Sequence, residues 1–97
     1  PTAIFASNDP MAMGVLSAAH EQGVEIPREI SVAGFDDSPL ARHAWPPLTT
    51  VRQPTTEVAR LATNVLLTRL RGETEGASQH RLKAELVQRA STGEPSE

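Results

Sequence analysis

The stretch Ile30-Ser31-Val32-Ala33-Gly34-Phe35-Asp36-Asp37 decides how this chain is read. Strand-favouring Ile, Val and Phe run directly into two adjacent carboxylates, followed by Ser38-Pro39. The apolar part suits a buried strand, whereas Asp36 and Asp37 cannot stay buried without partners. The strand therefore carries its carboxylates to a sheet edge where solvent or a polar ligand can meet them.

Upstream, Thr2-Ala3-Ile4-Phe5-Ala6 reads as a second buried strand, short and apolar. Ser7-Asn8-Asp9-Pro10 then starts a helix, with Asn8 or Asp9 as N-cap and Pro10 in the first turn. Residues 11–22 are apolar around much of the circumference (Met11, Ala12, Met13, Val15, Leu16, Ala18, Ala19), which predicts a helix covered on more than one side. Gly23 ends it and Pro27 forbids its resumption. Strand, helix and strand at this spacing make a βαβ unit with parallel strands and a right-handed crossover. Both strands then end on one edge. Asn8 and Asp36 converge there, at the carboxyl edge where open α/β sheets bind ligands.

Downstream, Ser38-Pro39 starts a short helical turn through His43, which Trp45-Pro46-Pro47 ends. Leu48-Thr49-Thr50-Val51-Arg52-Gln53 is a third extended segment, closed by Pro54. Thr55 is the expected N-cap of a helix over 56–71, with Gly72 at its C-terminal stop. Val58, Leu61, Ala62, Val65, Leu66 and Leu70 form one apolar stripe on it. Residues 73–81 read as a mobile loop. Leu82, Ala84 and Leu86, with Arg89, mark a final strand, and residues 91–97 read as a frayed tail.

Ninety-seven residues allow one small domain or a piece of a larger one. The chain enters a core strand at once and without an initiating Met, so a piece of a longer protein is expected. The absence of cysteine excludes a disulfide framework and thiolate metal sites, and fits a cytoplasmic location. A formal net charge of -3, with scattered Lys and Arg, argues against a nucleic-acid surface on these residues. Phe5, Phe35 and Trp45 are too few to stack a single strand of bases. No apolar run approaches membrane-spanning length.

An amide and a carboxylate at one edge offer complementary donors and acceptors, so Asn8 and Asp36 suit a neutral polyol or a base. The competing reading makes Asn8 a helix cap and Asp36 a turn cap, since both residue types favour those places. Asp9 reads as a helix-dipole or structural hydrogen-bonding residue. Asp36 and Asp37 are sequence neighbours whose side chains diverge, which disfavours a shared metal, and Asp37 reads as structural or solvated. Ser7, Ser38, His20 and His43 lack a nucleophile elbow, and there is no glycine-rich phosphate loop. His20, His43 and His80 show no metal-ligand spacing. A phosphotransfer receiver would need a distal Lys, and Lys83 stands in the wrong context. The sequence therefore points to no enzyme, no metal and no cofactor. Trp45 is open to three readings: a ring that stacks on a ligand, an interface plug, or a packing anchor over a loop. Met11 and Met13 divide between core and interface.

Three runs in order carry a family resemblance: Ala3-Ile4-Phe5-Ala6-Ser7-Asn8-Asp9-Pro10-Met11-Ala12-Met13-Gly14, the stretch from Ile30 to Asp37, and Pro46-Pro47-Leu48-Thr49-Thr50-Val51-Arg52-Gln53-Pro54. With Leu86-Val87-Gln88-Arg89-Ala90-Ser91-Thr92 they resemble the LacI/GalR family of bacterial transcription repressors. The resemblance implies an α/β fold, the βαβ parallel-sheet portion of a type I periplasmic-binding-protein-like domain. Residues 1–52 correspond to the C-terminal effector subdomain and 53–72 to a hinge crossover and a helix of the N-terminal subdomain. Residues 82–92 correspond to the returning strand, and 93–97 to a tail. It further implies Asn8, Asp36, Gln53 and Phe35 as contacts to a sugar-like effector in an intersubdomain cleft. Dimer contacts fall on the first helix around Met11 and Met13, and on Ala44 and Trp45. Operator DNA would be bound only through an N-terminal headpiece absent from these residues. The alternative is a periplasmic sugar-binding protein of a transporter, which shares the Asn-Asp and Gly-Phe-Asp features and usually lacks the Pro-Pro-Leu-Thr-Thr-Val-Arg-Gln run.

Overall fold

A computed structural model describes residues 1–73 and 79–96 of the chain. The chain divides into two units, Pro1–Arg52 with Glu85–Glu97, and Gln53–Ala84.

The first unit opens with strand β1 (Ala3–Phe5), helix α1 (Asp9–Gln22) and strand β2 (Ser31–Ala33). β1 and β2 pair in parallel with Ala3 opposite Ser31, Ile4 opposite Val32 and Phe5 opposite Ala33. The βαβ expectation is met. Asn8 caps α1 by accepting the Met11 N–H on its side-chain oxygen at 2.9 Å. Gly23 ends the helix at φ 72, its N–H donating to the His20 carbonyl while that of Val24 donates to Ala19. That pair of bonds needs a left-handed residue between them, which glycine supplies without a Cβ penalty.

Two expectations fail here. β1 is an exposed edge strand rather than a buried one, because β2 is its partner in a two-stranded ladder. And α1 buries one stripe fully, Asp9, Ala12 and Leu16, with Met13 and Val15 partly covered by the core, while Met11 is 57% exposed.

Pro39–His43 forms the short helix α2, as Ser38-Pro39 predicts, and strand β3 spans Thr50–Arg52. The chain after β2 runs alongside β3 in parallel, with the Gly34 N–H on the Thr49 carbonyl at 2.9 Å and the Asp36 N–H on that of Val51 at 2.8 Å. Strand β4 (Glu85–Val87) pairs antiparallel with β3, shorter than the strand expected over 82–89. Ala6, Ala12, Leu16, Val32, Ala41, Ala44 and Leu48 form the core. Gly34 has no room for a side chain: a Cβ there would collide with Asp9 Oδ1 and crowd Leu48 and Ala12.

The second unit holds helix α3 (Thr55–Leu70). Its first turn closes on the Pro54 carbonyl, so Pro54 rather than Thr55 occupies the cap position. Proline fits there because the cap residue's N–H is not needed by the helix. Gly72 at φ 78 and the bond from the Glu73 N–H to the Thr68 carbonyl stop the helix as expected. Val58, Leu66, Leu67 and Leu70 are exposed. Of the loop expected over 73–81, residues 74–78 lie outside the described residues.

The frayed tail is a further correction. Ser91 is fully buried. Its hydroxyl donates to the Val32 carbonyl and accepts the Thr49 N–H at 2.8 Å, while its carbonyl accepts the Val32 N–H at 2.9 Å. Gly93 donates to the Ser31 hydroxyl at 3.0 Å. Polar residues here are partners for backbone that the three-residue strands leave unpaired, a role composition does not reveal.

Ser91→Ala removes the acceptor of a buried backbone N–H, and we expect it to cost about 1–3 kcal/mol in denaturant unfolding; an unchanged midpoint would mean that the C-terminal segment is dispensable. The exposed α3 stripe is worth roughly 1.5–3 kcal/mol per side chain when covered. Sedimentation velocity of the isolated 97-residue chain is therefore expected to show self-association, and a compact monomer at all concentrations would contradict this.

Candidate functional site

Since Phe5 stands opposite Ala33, Asn8 and Asp36 lie the same number of residues beyond that pair. They stand at the same end of the ladder, the carboxyl edge. The Asp9 N–H donates to the Phe35 carbonyl at 3.0 Å, joining the start of α1 to the end of the β2 segment. Asn8 fulfils the capping reading with its amide oxygen, which leaves the two hydrogens of Nδ2 as donors for a ligand. The Asp36 side chain is exposed, and its backbone takes φ 115. Asp37 follows at φ 54. Two successive non-glycine residues at positive φ cost on the order of 1–3 kcal/mol each and persist only where the surroundings impose them.

Those surroundings are a polar network under the turn. Asp9 is fully buried. Its Oδ2 accepts the Ser38 N–H and its Oδ1 the Thr50 hydroxyl, both at 2.7 Å. Thr50 Oγ1 in turn accepts the Asp37 N–H at 3.2 Å. The Asp37 carboxylate, 9% exposed, receives Arg52 on Oδ2 and Arg89 on Oδ1, each at 2.8 Å. Arg89 also donates to the Leu48 carbonyl at 3.0 Å. Burial pushes the Asp37 carboxyl up, but the hydrogen bonds and charges of Arg89 and Arg52 outweigh it and hold the group below its ordinary value. Asp37 is thus structural and not solvated.

Phe35 is half-buried, and its carbonyl serves Asp9. Gln53 is exposed and opens the second unit. Among the described residues no group of three or more His, Asp or Glu could hold a metal ion.

The chain matches the periplasmic binding protein-like domain over residues 1–92. It is 41% identical over 92 residues to the HTH-type transcriptional repressor CytR of Escherichia coli K12, covering 95% of this chain and 27% of that protein. The HTH-type transcriptional regulator GalS of Salmonella typhimurium is 44% identical over 90 residues, 93% of this chain and 26% of that one. The lac repressor dimer bound to operator and the anti-inducer ONPF superposes with a TM-score of 0.87 at 34% identity, over 95% of this chain and 32% of that one. The chain belongs to the LacI/GalR family. Its fold is the α/β periplasmic-binding-protein-like one, and it spans about a quarter of the length of the curated relatives it matches.

The LacI/GalR resemblance placed dimer contacts on four side chains, and their surroundings differ. Trp45 is 86% exposed, which removes the packing-anchor reading. Beside it, Pro46, Leu16 and His20 help to line a hollow of about 510 Å³. Met11 is exposed and Met13 is half-buried against the core. Ala44 is a correction: at 5% exposed it belongs to the core, packed with Ala41 and Leu48, and offers a partner no surface.

The residues that sequence reading missed are Thr50 and Arg89, filed as ordinary strand members. The available signal was Asp9 itself, since a carboxyl in the first turn of a largely apolar helix needs donors nearby. Because the pKa of Asp37 is lowered in the folded protein, its pairing contributes stability at pH above the unfolded value and loses it as pH falls through the folded one. The stability gap between the native chain and Asp37→Asn should narrow as pH falls below the ordinary carboxyl range and through the lowered folded value; a gap that stays constant throughout acid unfolding would contradict the ion pairing.

Proposed function

We propose that this chain is the effector-sensing region of a bacterial LacI-type transcriptional repressor, and that it takes a sugar or a related small metabolite at the Asn8–Asp36 edge. The observation that carries the reading is the parallel register, which brings an amide and a carboxylate to the same carboxyl edge. The sugar class is supported by a relative solved as a CelR–cellobiose complex, 37% identical over 93% of this chain and 28% of that one, with a TM-score of 0.87. A polyol presents hydroxyls that donate to Asp36 and accept from the Asn8 amide.

Residues 1–52 and 82–92 belong, in this reading, to the C-terminal effector subdomain, and residues 53–72 to the crossover and the N-terminal subdomain. Gln53 and Phe35 are further effector contacts in the intersubdomain cleft of the whole regulator. Met11, Met13 and Trp45 serve the dimer, and operator DNA is bound by a headpiece outside these residues. The protein is cytoplasmic, uses no cofactor and performs no catalysis. No described helix is long and apolar enough to cross a membrane. Effector binding shifts the population toward one closure state, which the dimer passes to the headpieces. The curated relatives are transcriptional repressors and regulators, so the transport alternative is not carried forward.

The intact regulator should be tested for release of operator DNA by a panel of sugars and nucleosides. Asp36→Ala is expected to weaken the response to the active compound about ten- to hundredfold, the loss of a charged hydrogen bond, with effector-free operator affinity unchanged. An undiminished response in that variant would remove Asp36 from the site.

A further inference from the structure

The turn that carries Asp36 is held at every backbone donor. The Asp36 N–H is on the Val51 carbonyl at 2.8 Å, the Asp37 N–H on Thr50 Oγ1 at 3.2 Å and the Ser38 N–H on Asp9 Oδ2 at 2.7 Å. The Asp37 carboxylate adds a fourth restraint through Arg52 and Arg89. Arg89 is itself 12% exposed at its side chain and fixed by the Leu48 carbonyl, so it is a rigid partner rather than a swinging surface cation.

The two arginines stand at informative places along the chain. Arg52 is the last residue of the first unit before the chain leaves it at Gln53. The chain returns at Glu85, which Arg52 also reaches at 3.5 Å, and Arg89 follows shortly after. Asp37 is therefore tied to the outgoing and to the returning segment, one residue away from the proposed effector ligand.

We propose that Asp37 is a positioning residue for the effector site: clamped between Arg52 and Arg89, it holds Asp36 in its left-handed backbone conformation and fastens that turn to both chain crossings. The inference rests on the reading of Asp36 as an effector ligand. A turn at φ 115 and φ 54 without glycine relaxes toward negative φ when its restraints go. Relaxation swings the Asp36 carboxylate away from the edge, so the clamp supplies preorganisation that the ligand would otherwise have to impose. The lowered pKa of Asp37 keeps the clamp charged across the whole neutral range.

Amide hydrogen exchange in the intact regulator tests this without any effector. Asp37→Asn keeps the size of the side chain and its tolerance of a left-handed backbone while removing the charge. The Asp36 and Ser38 amides are expected to exchange faster by at least about tenfold more than the Val32 amide, bonded to the Ser91 carbonyl, whose acceleration follows only the variant's loss of global stability in denaturant unfolding. Arg89→Met, which removes one arm of the clamp, should act in the same direction. Equal acceleration at Val32 in both variants would mean general destabilisation and overturn the positioning role, as would unchanged exchange at Asp36 and Ser38. If exchange is unaffected while Asp36→Ala still abolishes the effector response, the clamp fails and the site stands. If exchange accelerates as expected while Asp36→Ala keeps its response, the turn is clamped but the effector reading fails.

Discussion

A carboxyl group with no exposed surface sits at the centre of the first unit, and its two oxygens decide how three segments meet. Asp9 enters from the start of α1, Ser38 from the turn before α2, and Thr50 from β3. An unpaired polar group in that position would cost several kcal/mol, so the three segments are held where both oxygens find a donor. Gly34 is part of the same arrangement, because only a residue without a Cβ lets the β2 segment pass against Asp9 Oδ1. Ala12 and Leu48, both fully buried, fill the apolar side of that contact.

The carboxyl edge inherits its rigidity from this carboxyl. Asn8 precedes Asp9 and Asp36 follows Phe35, and the bond between Asp9 N–H and the Phe35 carbonyl joins those two neighbours directly. A residue on a short loop is normally mobile, yet here each of the two is one residue from this bonded backbone pair. Asn8 is held further by its own cap bond, and Asp36 by the bond from its N–H to the Val51 carbonyl.

The order of elements and the parallel register were legible because they follow from hydrophobic runs, helix caps and glycine stops, all of which act over a few residues. Asn8 and Asp36 were legible for the same reason, since a βαβ unit leaves both strand ends on one edge. What was not legible depends on contacts distant in sequence. Ser91 reads as tail until Val32 and Thr49 stand beside it. Ala44 was given a dimer contact by the resemblance alone, and in the fold it is 5% exposed and part of the core. Thr50 and Arg89 read as strand residues, their type compatible with that role, and only the buried Asp9 and the Asp37 turn give them another. The exposed face of α1 shows the converse. Its composition reads as apolar around much of the circumference, yet the core takes up fully only Ala12 and Leu16 among its apolar residues.

The two neighbouring carboxylates end with opposite tasks, and backbone geometry is the reason. Adjacent residues at φ 115 and φ 54 do not repeat a strand's alternation, so the chain turns between them. Asp36 remains at the edge while Asp37 is directed under it, into reach of Arg52 and Arg89. Had both residues kept extended geometry, the period of two would have sent one carboxylate to each face of the sheet. Neither would then lie beneath the other, and the arginines would pair with a group unrelated to the edge. The unfavourable φ values are thus the means by which one acidic dipeptide provides both an exposed acceptor and the ion pair that supports it. Their strain is offset by two charge-assisted hydrogen bonds, each stronger than a neutral one.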